Sequence, residues 1–318
     1  MASNMDVILD VDPGVDDALA ILLALGSPQL NVLALTVVSG NVPVEIGVEN
    51  ALRVLSFAGR DDIDVYAGAS GPLTGAAVHA TEVHGVSGMG NAELPPSIKR
   101  ARPGATTYIQ TVLQERPGEV TLVAVGPLTN LALVEEDKPG TLNLAKEIVV
   151  MGGAVAEPGN VTAVAEFNFY ADPLAARQVL DSSESLAVVP LDVTHQVGMG
   201  KGEISDLARK SGTPLTDFLE KATEVVVSLG EQAGGYAGVY LHDPTAVAYA
   251  SCPHLFQSDK MWISVETDGH LTAGQLVADL RSGVFPDQRQ GKLRTVVTAI
   301  ASEKVLNLFK KRALGLGA

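Results

Sequence analysis

Cysteine is nearly absent: Cys252 stands alone among 318 residues. A single thiol closes no internal disulfide, which points to a reducing compartment and away from a secreted, cross-linked scaffold. Positive charge is scarce as well. Lys and Arg number 22 against 37 Asp and Glu, a formal net charge of −15. Such a surface repels phosphate backbones, so no nucleic acid partner is expected, and highly charged phosphate esters are disfavoured. Neutral or cationic small molecules and metal ions suit it better. No apolar run reaches the ~18 residues of a membrane-spanning helix. The start, "MASNMDVILD", lacks the basic-then-apolar layout of a secretory signal. The expectation is a cytoplasmic protein with no membrane partner. Repeats, low-complexity stretches and Ser/Gly linkers are also missing, so the chain reads as one domain over 1–318.

What is present is a core and an alternation. Hydrophobic residues make up 46% of the chain, enough for a sizeable interior. Short β-branched runs occur at 6–11, 32–38, 63–67, 120–125, 147–152, 186–191 and 261–266. Helical patterns lie near 16–26, 43–59, 104–115, 127–136, 172–181, 213–231, 243–250 and 295–313. Strands apolar on both faces imply an α/β fold: a mostly parallel, Rossmann-like central sheet covered by helices on both sides. A helical elaboration is expected over 200–250. Ligands in such sheets bind at the carboxyl ends of the strands, and there the sequence places "DPGVDD", "SGN", "GPLTN", "GGAVAEPGN" and "DVTH". Loops favour these residue types anyway.

The stretch "VILDVDPGVDDALAILLAL" (7–25) sets four aspartates between a buried strand and a buried helix. Pro13 and Gly14 turn the chain. Asp16 and Asp17, in a first helical turn, are explained equally well as capping residues. Capping does not explain Asp10 and Asp12, which alternation puts on one face of an apolar strand. Unpaired buried carboxylates cost several kcal/mol each, on the order of the penalty for any buried ion. A hard divalent cation held by oxygen ligands relieves that, Ca²⁺ or Mg²⁺ rather than zinc. Two chemistries remain open: hydrolysis by an activated water, or a Mg²⁺-dependent phosphohydrolase with Asp10 as nucleophile.

The stretch "DVDPGVDDALAILLAL" resembles the N-terminal signature of nucleoside hydrolases of the inosine–uridine-preferring type. In the family's order there follow "VVSGN" (37–41), "HGVSGMG" (84–90), "VGPLTNLA" (125–132) and "VMGGAVAEPGN" (150–160). "AEFNFYADP" (165–173), "LDVTHQ" (191–196) and "HDPTAVAY" (242–249) complete the set. The resemblance implies Ca²⁺-dependent hydrolysis of the N-glycosidic bond of ribonucleosides to ribose and free base. It implies Asp12, Asp17, Asp243 and the backbone carbonyl of Val125 as metal ligands, with Asp12 also the general base and His242 near the leaving base. Asp16, Asn41, Met151, Asn160, Glu166 and Asn168 are the implied substrate-binding set, with Asp10 in support. A homodimer or homotetramer is implied too.

The base side departs from the family pattern. Where relatives carry tyrosines before "HDP", this chain reads "VVVSLGEQAGGYAGVYLHDP", with Gly230 and Gly234 in place of bulkier side chains. His84, Tyr236 and Tyr240 remain as base contacts. The single tryptophan, Trp262, lies beyond the metal motif, unlike the tryptophans that stack the base in purine-specific relatives. His79 and His84 flank a Gly-rich segment that reads either as a flap over the pocket or as a solvated loop. His195 reads equally as a buried structural histidine. The closing "GLGA" reads as a frayed tail. A non-enzymatic nucleoside- or ribose-binding protein is the remaining alternative.

Overall fold

The computed structural model describes residues 4–316. Its strands are β1 (Met5–Val11), β2 (Leu30–Val37), β3 (Asp64–Ala67), β4 (Arg102–Pro103), β5 (Val120–Ala124) and β6 (Glu147–Met151). They continue with β7 (Leu186–Val189), β8 (Gly198–Gly200), β9 (Gly238–Tyr240), β10 (Phe256–Val265), β11 (Leu276–Ala278) and β12 (Lys292–Ile300). The helices are α1 (Val15–Leu25), α2 (Val44–Phe57), α3 (Thr81–His84), α4 (Ala105–Glu115), α5 (Thr129–Asp137) and α6 (Phe167–Ala171). After them come α7 (Pro173–Ser182), α8 (Leu191–Thr194), α9 (Lys201–Ser211), α10 (Pro214–Gln232), α11 (His242–Ser251) and α12 (Ser302–Ala313).

Ten strands form one sheet in the order β11–β10–β12–β7–β6–β5–β1–β2–β3–β4. Neighbours from β12 to β4 pair parallel, while β10 runs antiparallel to both β12 and β11. β1 shows why both faces are covered. Val7, Leu9 and Val11 enter one apolar core, and Ile8 enters a second core on the other face. Helix α1 is apolar nearly all round because it packs between the sheet and helices α11 and α12.

The chain starts in β1, steps outward to β4, then returns beside β1 as β5 and steps the other way through β6 and β7. The gap between β1 and β5 is therefore a topological switch point, where a crevice opens outside the carboxyl ends of the strands. The "DPGVDD" turn lies at that crevice, directly after β1. The expected elaboration over 200–250 is α9, α10 and the small antiparallel pair β8–β9.

One segment differs from the sequence expectation. Residues 295–313 are not a single helix: β12 ends at Ile300 and α12 begins at Ser302. Thr295, Val296, Val297 and Thr298 are β-branched, stiff at χ1 and suited to a pleated surface. β12 fills the place between β7 and β10 and pairs with both. The tail also differs. Leu314 is buried and Leu316 packs on the core, while 317–318 lie outside the described residues. No helix among the described residues is long and apolar enough to cross a membrane.

Candidate active site

β1 delivers Asp10 and Asp12, and the Pro13–Gly14 turn swings the chain into α1 with Asp16 and Asp17 in its first turn. Asp17 reaches back to close that turn. Its Oδ1 accepts the Asp12 amide at 2.9 Å and its Oδ2 accepts the Gly14 amide at 2.9 Å. The capping reading is thus correct for Asp17. The loop after β2 ties the two acids together: the Asn41 amide donates to Asp12 Oδ2 at 2.7 Å, and Asn41 Nδ2 donates to Asp17 Oδ2 at 3.0 Å. The "HDP" start of α11 brings in Asp243. Asp16, Asp17 and Asp243 each offer an oxygen within 4.8 Å of the others. Two helix N-termini, of α1 and α11, therefore face one group of acids and favour its negative charge.

Several of these oxygens lack partners. Asp12 Oδ1 and Asp16 Oδ1 are buried and accept no hydrogen bond. Burial pushes Asp16 and Asp17 up to about 6. Burial, reinforced by the neighbouring Asp17 charge, holds Asp12 well above the usual carboxylate range. Burial and then the Asp16 and Asp17 charges do the same to Asp243. Among the described residues, the one basic group within ion-pair distance of these acids is His84, with Nδ1 3.9 Å from Asp16 Oδ1. Burial pushes His84 down to about 4, so it brings no charge at neutral pH. Its Nδ1 instead accepts the Val15 amide at 3.1 Å. Orphaned carboxylate oxygens, an all-oxygen donor set and no compensating Lys or Arg fit a hard divalent cation.

Asp10 lies apart from the group. Its Oδ1 accepts Thr36 Oγ1 at 2.6 Å and Asn130 Nδ2 at 2.8 Å, and burial pushes it up to about 7. It is 1% exposed. Its two partners come from β2 and α5, so Asp10 ties the end of β1 to both elements.

A cavity of about 510 Å³ opens at the switch point. Asp16, Asn41, Val125, Met151, Asn160, Glu166, Asn168 and Asp243 line it, as do His84, Tyr236, Tyr240 and His242. The structure thus gathers all the expected substrate and base contacts on one cavity. Asp10, Asp12 and Asp17 are buried and are not part of its lining. The Val125 carbonyl accepts Asn168 Nδ2 at 2.7 Å, and the second carbonyl lone pair is left for another partner. Asn168 Nδ2 also approaches the Met151 carbonyl at 3.2 Å. Glu166 caps the short helix α6: its carboxylate accepts the amides of Asn168 at 2.9 Å, Gly153 at 2.9 Å and Phe169 at 3.3 Å. Burial nevertheless pushes it up to about 7. Asn160 Oδ1 accepts the Phe167 amide at 2.9 Å.

At the other end, Thr194 Oγ1 lies 2.8 Å from His242 Nδ1, and burial pushes His242 down to about 3. The His195 ring stands 4.7 Å from Tyr240 and 5.5 Å from His242, and Tyr236 stacks on Tyr240 at 4.5 Å. His195 is therefore part of the aromatic wall behind the cavity lining. The 84–91 segment is tied to its neighbours by hydrogen bonds that include Asn91 N to Lys221 O, Asn91 Nδ2 to Glu224 Oε2 and Asn50 Nδ2 to Ser87 O.

Sequence reasoning missed four partners of the acids. Thr36 and Asn130 hold Asp10, and Gly40 and Gly126 make room for Asp12. Both glycines and Asn130 lie within quoted motifs, where they read as turn punctuation.

The sequence profile of the family described as inosine-uridine preferring nucleoside hydrolase matches residues 7–307. The chain is 39% identical over 277 residues to the pyrimidine-specific ribonucleoside hydrolase RihA of Citrobacter koseri, covering 86% of this chain and 88% of that one. A plant nucleoside hydrolase structure superposes with a TM-score of 0.92 at 35% identity, covering 98% of this chain and 99% of the other. A purine-preferring ribonucleoside hydrolase from Gardnerella vaginalis superposes with a TM-score of 0.88 at 32% identity, covering 98% of each chain.

Proposed function

This chain belongs to the inosine–uridine preferring nucleoside hydrolase family, and from that premise we propose that it is a Ca²⁺-dependent enzyme cleaving ribonucleosides to ribose and free base. Membership makes it an N-glycosyl hydrolase acting on ribonucleosides. Calcium, the residue roles and the assembly are our own reading. The observation that carries it is the group of Asp16, Asp17 and Asp243 at the mouth of β1, with orphaned oxygens on Asp12 and Asp16, beside one cavity.

Asp12, Asp17, Asp243 and the Val125 carbonyl are the residues that would hold calcium. When bound, calcium supplies a hard Lewis acid with oxygen ligands. Asp12 takes the proton of the attacking water. Cleavage passes through an oxocarbenium-like state, with positive charge growing on the ribose. Asp16, Glu166 and the side-chain oxygens of Asn41, Asn160 and Asn168 favour that charge and hold the sugar, while Met151 packs against it. His242 meets the departing base, with His84, Tyr236 and Tyr240 around it. Asp10, fixed by Thr36 and Asn130, steadies the turn. The whole chain, 1–318, reads as a single catalytic domain. A cytoplasmic homodimer or homotetramer serving nucleoside salvage completes the proposal.

Neither rival is favoured. The match to the nucleoside hydrolase family, with Asp10 Oδ1 already held by Thr36 and Asn130, argues against a phosphohydrolase built on Asp10. Relatives named as hydrolases argue against a mere binding protein. The test is a panel of uridine, cytidine, inosine, adenosine, their 5′-monophosphates and an aryl phosphate, followed by ribose and phosphate release. Ribose from the nucleosides, and slower release from the monophosphates that meet Glu166, is the expected result. Phosphate release from the aryl phosphate without ribose release from any nucleoside would overturn it.

A further inference from the structure

We propose that His79 is a positioning residue for the reaction, one that fixes the peptide unit aiming Asp12. The proposal rests on the hydrolase reading above. It gives the alignment of the general base to a side chain outside the site motifs.

The Asp12 carboxylate has little to hold it. Its Oδ1 accepts no hydrogen bond, and among the described residues Oδ2 accepts a single one, from the Asn41 amide at 2.7 Å. That N–H shares a planar unit with the Gly40 carbonyl, and in a trans peptide the two point in opposite directions. The Gly40 carbonyl oxygen lies 2.8 Å from His79 Nδ1. A carbonyl only accepts, so Nδ1 carries the hydrogen and donates it. Imidazole, peptide and carboxylate form one chain, joined by hydrogen bonds of 2.8 Å and 2.7 Å. In such a chain, accepting a bond at the carbonyl strengthens the N–H as a donor.

The clamp grips both ends of the turn. Among the described residues, His79 is the single hydrogen-bond partner of the Gly40 carbonyl. Next to it, the Ala80 amide donates to the Asn41 carbonyl at 3.0 Å. Asn41 in turn holds Asp17 Oδ2 through its Nδ2 at 3.0 Å. There is no slack between turn and acid. A Cβ on Gly40 would lie 2.0 Å from Asp12 Oδ2, so a tilt of this peptide is felt at the carboxylate. His79 also borders the cavity, which makes direct contact with substrate the rival role. Against it, the Nδ1 hydrogen is already engaged by Gly40.

The experiment compares the parent enzyme with His79→Leu, His79→Asn, Gly40→Ala and the double variant Gly40→Ala with His79→Leu. Ribose release from uridine and inosine is followed at saturating calcium. Asparagine sets its Nδ2 where the imidazole carries Nδ1, so it keeps the donor. His79→Leu lowers kcat by about tenfold or more, the scale of a lost outer-shell partner, and leaves KM nearly unchanged. His79→Asn recovers most of that loss. In Gly40→Ala, where the same peptide is already displaced, His79→Leu costs less than in the parent. In protein isotope-labelled at asparagine nitrogen, the Asn41 amide proton moves upfield in His79→Leu and returns in His79→Asn, with or without calcium. His79→Ala takes the place of His79→Leu throughout if the leucine variant loses its native circular dichroism. Parental kcat in His79→Leu, a loss that falls on KM instead, or an asparagine variant as slow as the leucine one overturns the inference and leaves the hydrolase reading standing. No ribose from either nucleoside with the parent enzyme removes both.

Discussion

Asp12 fills space that a methyl group on either of two glycines would take. A Cβ on Gly40 would lie 2.0 Å from Asp12 Oδ2, and one on Gly126 would lie 2.6 Å from Oδ1. Gly40→Ala therefore displaces the proposed base without removing it. A misplacement of about an ångström costs on the order of 100-fold in rate, so kcat should fall by roughly that factor while circular dichroism stays native. Asp12→Asn should fall further, by about 10²–10⁴-fold, the usual worth of a general base. Thr36→Val takes a donor from the buried Asp10 carboxyl and should lower stability by about 1–3 kcal/mol in urea unfolding. The acids themselves were legible, because four carboxylates crowded between an apolar strand and an apolar helix stand out against both. Their surroundings were not. "SGN" and "VGPLTN" read as turns, since a close approach of Gly40 to Asp12 exists only after β1 and β2 are paired.

At the level of elements, runs apolar on both faces disclosed β1, β2, β3, β5, β6, β7 and much of β10, along with α1, α2 and the start of α11 that carries Asp243. β12 was hidden because it adjoins α12 with a single residue, Ala301, between them, and their apolar patterns run together. β4, β8, β9 and β11 span two or three residues each, too few for a period of two to show. The short helix α6 also escaped, yet it holds Glu166 by its first amides. Phe169 is its anchor, fully buried in the core beneath the cavity. Phe169→Ala should cost about 3–5 kcal/mol, and because the Phe169 and Asn168 amides move with it, KM for nucleosides should rise more than kcat falls.

For the whole molecule the decisive property is a surplus of buried acid. Asp10, Asp16, Asp17 and Glu166 all titrate near 6–7 in the fold because burial favours their protonated forms, against an unfolded value near 4. The metal-free fold then binds more protons than the unfolded chain between about pH 4 and pH 7, so its stability should fall as pH rises through that window. Calcium favours the ionised acids, so the fall should flatten or reverse when calcium is present, and its binding should release protons. Calorimetric Tm at several pH values, in chelator and in calcium, checks both signs. The measurement that most directly tests the central claim is ribose release by one preparation, stripped with chelator to below about a tenth of a calcium ion per chain and then restored. The account predicts background turnover when stripped and recovery on adding calcium, with no recovery in Asp243→Ala. Undiminished turnover in the stripped protein would contradict it.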